Sequence, residues 1–139
     1  MSLYLDTSAL VKLYVEEPGA GDVRRRVREA DVVTTSRIAY PEARAALARR
    51  RREGGITEAE LRRAVTDLDR DLRAIAVVEL SAAVARTAGL LAERHRLRGL
   101  DAIHLASALA FWQLTGRAPA FLSFDEPQSA AARREGLQT

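Results

Sequence analysis

The feature that most constrains this chain is the spacing of four short apolar runs. They fall at residues 3–5 (Leu-Tyr-Leu), 32–34 (Val-Val-Thr), 75–78 (Ile-Ala-Val-Val) and 120–123 (Ala-Phe-Leu-Ser). Each is the right length for one buried strand and too short for a helix. The segments between them carry apolar residues at helical spacing. Strands separated in this way cannot form hairpins and pair in parallel through helical crossovers. The pattern predicts an α/β fold with a central, mainly parallel sheet of four or five strands and helices on both faces, Leu137 being the candidate for the fifth strand. No linker, repeat or low-complexity stretch interrupts the 139 residues, so a single domain over 1–139 is expected.

The helices can be placed by their caps. Thr7 and Ser8 suit the start of a helix carrying Leu10, Val11 and Tyr14. An Arg-rich helix is expected over 20–30, with Val23 and Val27 on one side. Ser36 resembles the N-cap of a helix over 37–52 that stops at Gly54-Gly55. Pro41 implies that this helix kinks or starts later. Thr57 and Glu60 form a capping-box pattern opening a helix to about residue 72. Ser81 caps a helix to about 96, Gly99 separates it from one over 101–113, and a short helix covers 127–134.

Four acids occupy unusual places in this scheme. Asp6 ends the first apolar run and Asp125 follows the last, so both stand at carboxyl ends of strands, where open α/β sheets bind ligands. Asp101 opens an apolar helix, and Glu42 follows Tyr40-Pro41 beside Ala43 and Ala46. Each has an ordinary explanation as well: helix caps for Asp6 and Asp125, a favourable macrodipole for Asp101, a surface position for Glu42. Gathered in one cleft, four carboxylates would raise one another's pKa values, and a hard divalent cation would remove that penalty. With no cysteine in the chain, an all-oxygen shell favours Mg²⁺ or Mn²⁺ over Zn²⁺.

Composition narrows the partners. There are 22 basic and 19 acidic residues, and Lys12 is the only lysine. Arginine's planar fork suits phosphate. Clusters at Arg24-Arg25-Arg26 and Arg49-Arg50-Arg51-Arg52 are candidate phosphate contacts, with Arg24, Arg25, Arg49 and Arg50 foremost; a solvated helix end explains the second run equally well. The absence of cysteine fits a reducing cytoplasm. No leader-like N-terminus is present and the longest apolar stretch, 105–112, is too short to span a bilayer, so no membrane association is expected. No Gly-x-Ser-x-Gly context supports Ser–His–Asp hydrolysis. An aspartyl-phosphate mechanism would want an acid at Ser8, and a receiver-type site a lysine late in the sheet. His104 is expected to pack or to support the site from behind and not to act as a ligand, and His95 is the only other histidine.

The segments Leu5-Asp6-Thr7-Ser8-Ala9-Leu10, Glu42, Gly99-Leu100-Asp101-Ala102-Ile103-His104-Leu105-Ala106 and Ser123-Phe124-Asp125 resemble, in order and separation, the PIN domain of VapC-type toxins. The resemblance implies a three-layer α/β/α sandwich and a metal-dependent endoribonuclease of a toxin–antitoxin module, hydrolysing RNA with a metal-activated water. It implies that Asp6, Glu42, Asp101 and Asp125 bind the metal and act in catalysis, supported by the hydroxyls of Thr7 and Ser123. Asp125-Glu126-Pro127 departs from the commonest pattern, leaving Glu126 as a candidate to share the role of Asp125. It further implies a cognate VapB-type antitoxin and a homodimer. Ala43, Ala46, Leu47, Leu61 and Val65 are candidates for a groove taking a partner helix, and Phe111 and Trp112 for the dimer contact. The alternative is a PIN-like module that binds RNA without cleaving it.

Overall fold

The computed structural model describes residues 1–139. Four strands, β1 (Ser2–Leu5), β2 (Val32–Ser36), β3 (Ala76–Val78) and β4 (Ala120–Leu122), form one wholly parallel sheet in the order β3-β2-β1-β4. The helices are α1 (Thr7–Val11), α2 (Ala20–Glu29), α3 (Ala39–Arg52), α4 (Glu58–Asp71), α5 (Ala82–His95), α6 (Gly99–Thr115) and α7 (Glu126–Arg134).

Strand alternation builds two cores. Leu3, Leu5, Ala120 and Leu122 face one side, where they join Leu10, Val23, Leu47 and Leu68 from the helices α1 to α4. Tyr4 and Phe121 face the other, with Leu91, Leu105 and Ala131 from α5, α6 and α7. The three-layer arrangement follows directly, since a parallel sheet buried on both faces needs helices on both. Register places Tyr4 beside Phe121, whose rings stack with centroids 5.2 Å apart.

The order 3-2-1-4 sets the position of the site. The chain steps from β1 outward to β2 and β3, then crosses back to lay β4 on the opposite side of β1. The carboxyl ends of β1 and β4 therefore flank a topological switch point, where helices diverge and leave a crevice.

Several expectations are revised. Leu137 is buried, and the Gln138 carbonyl accepts a hydrogen bond from the Phe121 N–H (2.7 Å), but this single bond makes no fifth strand. Ser36 ends β2 instead of capping α3. The helix begins at Ala39, which puts Pro41 in its first turn, where a missing N–H is harmless and no kink is needed. Gly99 is the first residue of α6, the break before it being made by Arg96 in the left-handed conformation (φ 55). The Thr57–Glu60 capping box and the Ser81 cap form as expected.

Candidate active site

Asp6 leaves β1 and is itself the N-cap of α1, so Thr7 and Ser8 are helical residues and not the cap. Its Oδ1 accepts from the Ala9 N–H (2.9 Å) and the Ser8 hydroxyl (2.7 Å), and its Oδ2 from the Ser123 hydroxyl (2.6 Å). Only 3 % of this residue is exposed. The last of these bonds crosses the switch point, since Ser123 follows β4. Ser123 Oγ also accepts from the Asp125 N–H (3.0 Å), which fixes Asp125 at the N-cap of α7.

Asp101 enters from the first turn of α6. Its backbone carbonyl accepts from Nε2 of Gln128, a buried α7 residue (3.2 Å), and this bond ties α7 to the start of α6. Burial, and then the Asp125 charge, hold the Asp101 carboxyl above the ordinary aspartate range. His104 and Arg98 oppose this, and Asp6 adds to it. Asp101 thus lies within range of the charges of Asp125 and Asp6.

Glu42, in the first turn of α3, is held separately. Its Oε1 accepts from the Thr7 hydroxyl (2.6 Å) and lies 2.8 Å from His104 Nε2. His104 is buried on α6, and its Nδ1 lies 2.9 Å from the hydroxyl of the fully buried Tyr4. A carboxylate only accepts, so Nε2 carries the proton. Burial keeps the Tyr4 phenol protonated far above its ordinary value, so its hydroxyl can donate to Nδ1. The result is a directed chain Tyr4→His104→Glu42, closed by Thr7. Burial raises the Glu42 pKa, but the hydrogen bonds from His104 and Thr7 more than offset it, and the carboxyl ends below its ordinary value.

The four acids are thus held in different ways. Asp6, Asp101 and Asp125 surround the β1–β4 crevice, while Glu42 is turned toward Thr7 and His104. No three His, Asp or Glu side chains close on a common point as a ready-made metal cage. The donor chemistry still fits a hard divalent cation. The oxygens are all carboxylate, burial and then the Asp125 charge hold Asp101 up, and Mg²⁺ binds through one or two carboxylates with water completing its shell.

A groove runs beside the acids between α1, α3 and the start of α6. Thr7, Ser8, Glu42, Ala45 and Ala46 line it together with Lys12, Arg49, Arg50 and Arg98. Arg50 pairs with Glu17, which also takes Lys12 Nζ (3.0 Å); Arg49 and Arg98 have no ion-pair partner. Arg24 and Arg25 lie elsewhere. They are spent on Glu16 (2.6 Å) and on Asp22 and Glu29 (2.6 and 2.8 Å) along and beside α2, as expected of exposed i, i+3 and i, i+4 pairs. Glu126 pairs with Arg133. Ala43, Leu47, Leu61 and Val65 are buried in the core, which leaves Ala46 alone of that set in the groove, and Phe111 is likewise a core residue.

Sequence reasoning passed over Tyr4, Ser8 and Gln128 as site residues and placed His104 as a packed residue or one that supports the site from behind. Ser8 carried a signal, a hydroxyl two residues after a strand-end acid. Tyr4, the one polar-tipped residue in an otherwise aliphatic strand, carried a weaker one. Nothing marked Gln128.

A parallel α/β sheet with carboxylates at its switch point and a basic groove alongside defines a hydrolase-like, anion-handling architecture. The chain belongs to the PIN domain family, whose model matches residues 3–134. It is 47 % identical over 108 residues to "Ribonuclease VapC45" of Mycobacterium tuberculosis (strain CDC 1551 / Oshkosh), covering 78 % of this chain and 75 % of that protein. Its fold is similar to that of the crystal structure of Mycobacterium tuberculosis VapC20, described as a Sarcin-Ricin loop cleaving toxin. The TM-score is 0.68 at 23 % identity, over 93 % of this chain and 94 % of that one. It is also similar to a chain of a toxin-antitoxin complex from Klebsiella pneumoniae, with a TM-score of 0.64 at 15 % identity, over 92 % and 90 % of the two chains. No helix is long and apolar enough to cross a membrane.

Proposed function

We propose that this chain is a metal-dependent endoribonuclease, the toxin of a toxin–antitoxin pair, acting in the cytoplasm as one domain over 1–139. The observation that carries the reading is the crowd of Asp6, Asp101 and Asp125 at the β1–β4 switch point, with a phosphate-compatible groove beside it. Membership of the PIN family and the ribonuclease name of its relative support it.

Asp6, Asp101 and Asp125 would hold the cation, Mg²⁺ or Mn²⁺. When bound, it neutralises charge on the phosphoryl group and acidifies a water. Asp6 is aimed by Ser8, Ala9 and Ser123 and does not reorganise on binding. Asp101, held up by burial and then by the Asp125 charge, is the carboxyl that would gain most from a neighbouring positive charge. Glu42, kept ionised by His104 and Thr7, would add a fourth carboxylate at the groove's acidic end. Arg49 and Arg98, free of ion pairs, hold the flanking phosphates. A cognate antitoxin of the VapB type restrains the enzyme, and the protein works as a homodimer.

The test is cleavage of total cellular RNA with Mg²⁺ or Mn²⁺, against EDTA, Asp6→Asn and Asp101→Asn. Loss of cleavage in all three is expected. Cleavage that persists in both variants and in EDTA removes the site from the reaction. RNA binding without any cleavage leaves the non-catalytic module as the better reading.

A further inference from the structure

Phe124 joins β4 to α7, between Ser123, which holds Asp6, and Asp125. It is a large aromatic, yet 46 % exposed. Its position is nonetheless fixed on three sides. Its N–H donates to Ser8 Oγ (3.0 Å), the same hydroxyl that donates to Asp6. The Lys12 ammonium sits over the ring, 4.3 Å from its centroid. Lys12 is itself buried and tied to Glu17 (3.0 Å) and the Pro18 carbonyl (2.8 Å), so the cation is part of the frame. At the ring edge, Gly19 has φ +90, and a Cβ there would stand 2.7 Å from Cε1 and 3.0 Å from Cζ. Only glycine suits both the conformation and that approach.

A ring clamped by a buried cation and a cleared backbone, with much of its surface left in water, is not serving the core. We propose that Phe124 is a stacking platform for a nucleobase of single-stranded RNA next to the reacting phosphate. The assignment rests on the nuclease reading for its substrate class and adds the element that reading lacks, a contact to a base. Arginines in the groove grip phosphates irrespective of sequence, whereas an aromatic face binds the base itself. The clamp settles the ring's orientation before RNA arrives, so little side-chain freedom is lost on stacking.

The test is binding of short poly(A) and poly(U) oligoribonucleotides in EDTA, where cleavage is blocked, to the wild type, Phe124→Leu and Phe124→Tyr. Leucine keeps the apolar bulk but has no face. Phe124→Leu is expected to bind roughly ten-fold or more weakly, the range of base–aromatic stacking, with Phe124→Tyr near wild type. The dependence of affinity on salt should be the same for Phe124→Leu and wild type, since phosphate contacts are untouched. In Phe124→Trp, RNA should quench emission beyond any change seen in the wild type, whose only tryptophan is Trp112. Wild-type affinity in Phe124→Leu, or RNA binding without quenching in Phe124→Trp, overturns the platform. If either occurs while EDTA-sensitive cleavage stands, the platform alone is wrong. If Phe124→Leu weakens binding but no condition yields cleavage, the nuclease reading fails and the platform survives.

Discussion

Replacing Tyr4 by Phe isolates the chain that holds Glu42. The change removes one oxygen and keeps the ring, so the stack on Phe121 at 5.2 Å persists and no sizeable cavity opens. What is lost is the hydrogen bond to His104 Nδ1 at 2.9 Å, in a place where neither partner reaches water. Leaving one buried acceptor unpaired costs about 1–3 kcal/mol. At roughly 3–4 °C per kcal/mol for a domain of this size, the melting temperature should fall by roughly 3–12 °C. The functional effect is separate. Without the phenol, Nδ1 has no partner and the imidazole is held at Nε2 alone, 2.8 Å from Glu42 Oε1, so the ring that aims this carboxylate is no longer fixed from both ends. Losing an outer partner of this type typically lowers activity roughly 10- to 100-fold. The assay is metal-dependent RNA cleavage well below the variant's melting temperature, with circular dichroism confirming the fold. A folded Tyr4→Phe protein that cleaves within two-fold of wild type refutes the claim that the chain positions Glu42.

Three further outcomes follow from the same geometry. Asp101→Asn should raise the melting temperature of the metal-free protein while abolishing cleavage. A carboxyl whose folded pKa is raised costs stability at neutral pH, and that penalty disappears as pH falls through the raised value, so the advantage of the variant should vanish on acidification. Glu42→Gln should show the opposite sign in thermal melts. The folded pKa of Glu42 is lowered, so its stabilisation is present above the unfolded value and is lost as pH falls through the folded one, and the variant should be the less stable protein only at neutral pH. Ser123→Ala removes a 2.6 Å bond to a buried carboxylate, a contact to charge worth about 1.5–3 kcal/mol, and should lower both melting temperature and cleavage rate; Ser123→Thr should keep both.

How much of this was legible in the sequence depends on the range of the interaction. The four strands and their parallel pairing were readable because each is a short local run of apolar residues. The acids were readable as candidates because strand ends and helix starts are also local. What could not be read were distances across the fold. Leu47, Leu61 and Val65 seemed surplus to so small a core, yet the sheet face toward α1–α4 is wide enough to bury them all. Arg24 and Arg25 looked like the Arg49–Arg50 run in composition. Only the placement of α2 shows that the first pair satisfies its own acids while Arg49 lines the groove. The partner of Glu42 lies 62 residues away, and no periodicity connects the two.

The division among the four acids then has a physical sense. Asp6 accepts three hydrogen bonds, and Glu42 is met by Thr7 and His104, so the chain itself fixes both carboxylates. The side chains of Asp101 and Asp125 accept none. They are placed by backbone contacts alone, through Gln128 and Ser123, and face each other's charge. A site whose acids were all satisfied by the protein would gain little from a cation, and one whose acids were all unsatisfied would splay apart without it. On the proposed metal-dependent reading, fixing Asp6 and Glu42 keeps two acids in place while Asp101, beside the Asp125 charge, is left for a cation to relieve. That relief is measurable: divalent metal should stabilise the wild type, and Asp101→Asn should lose that stabilisation even though Asp6, Ser123 and the Tyr4–His104–Glu42 chain remain intact.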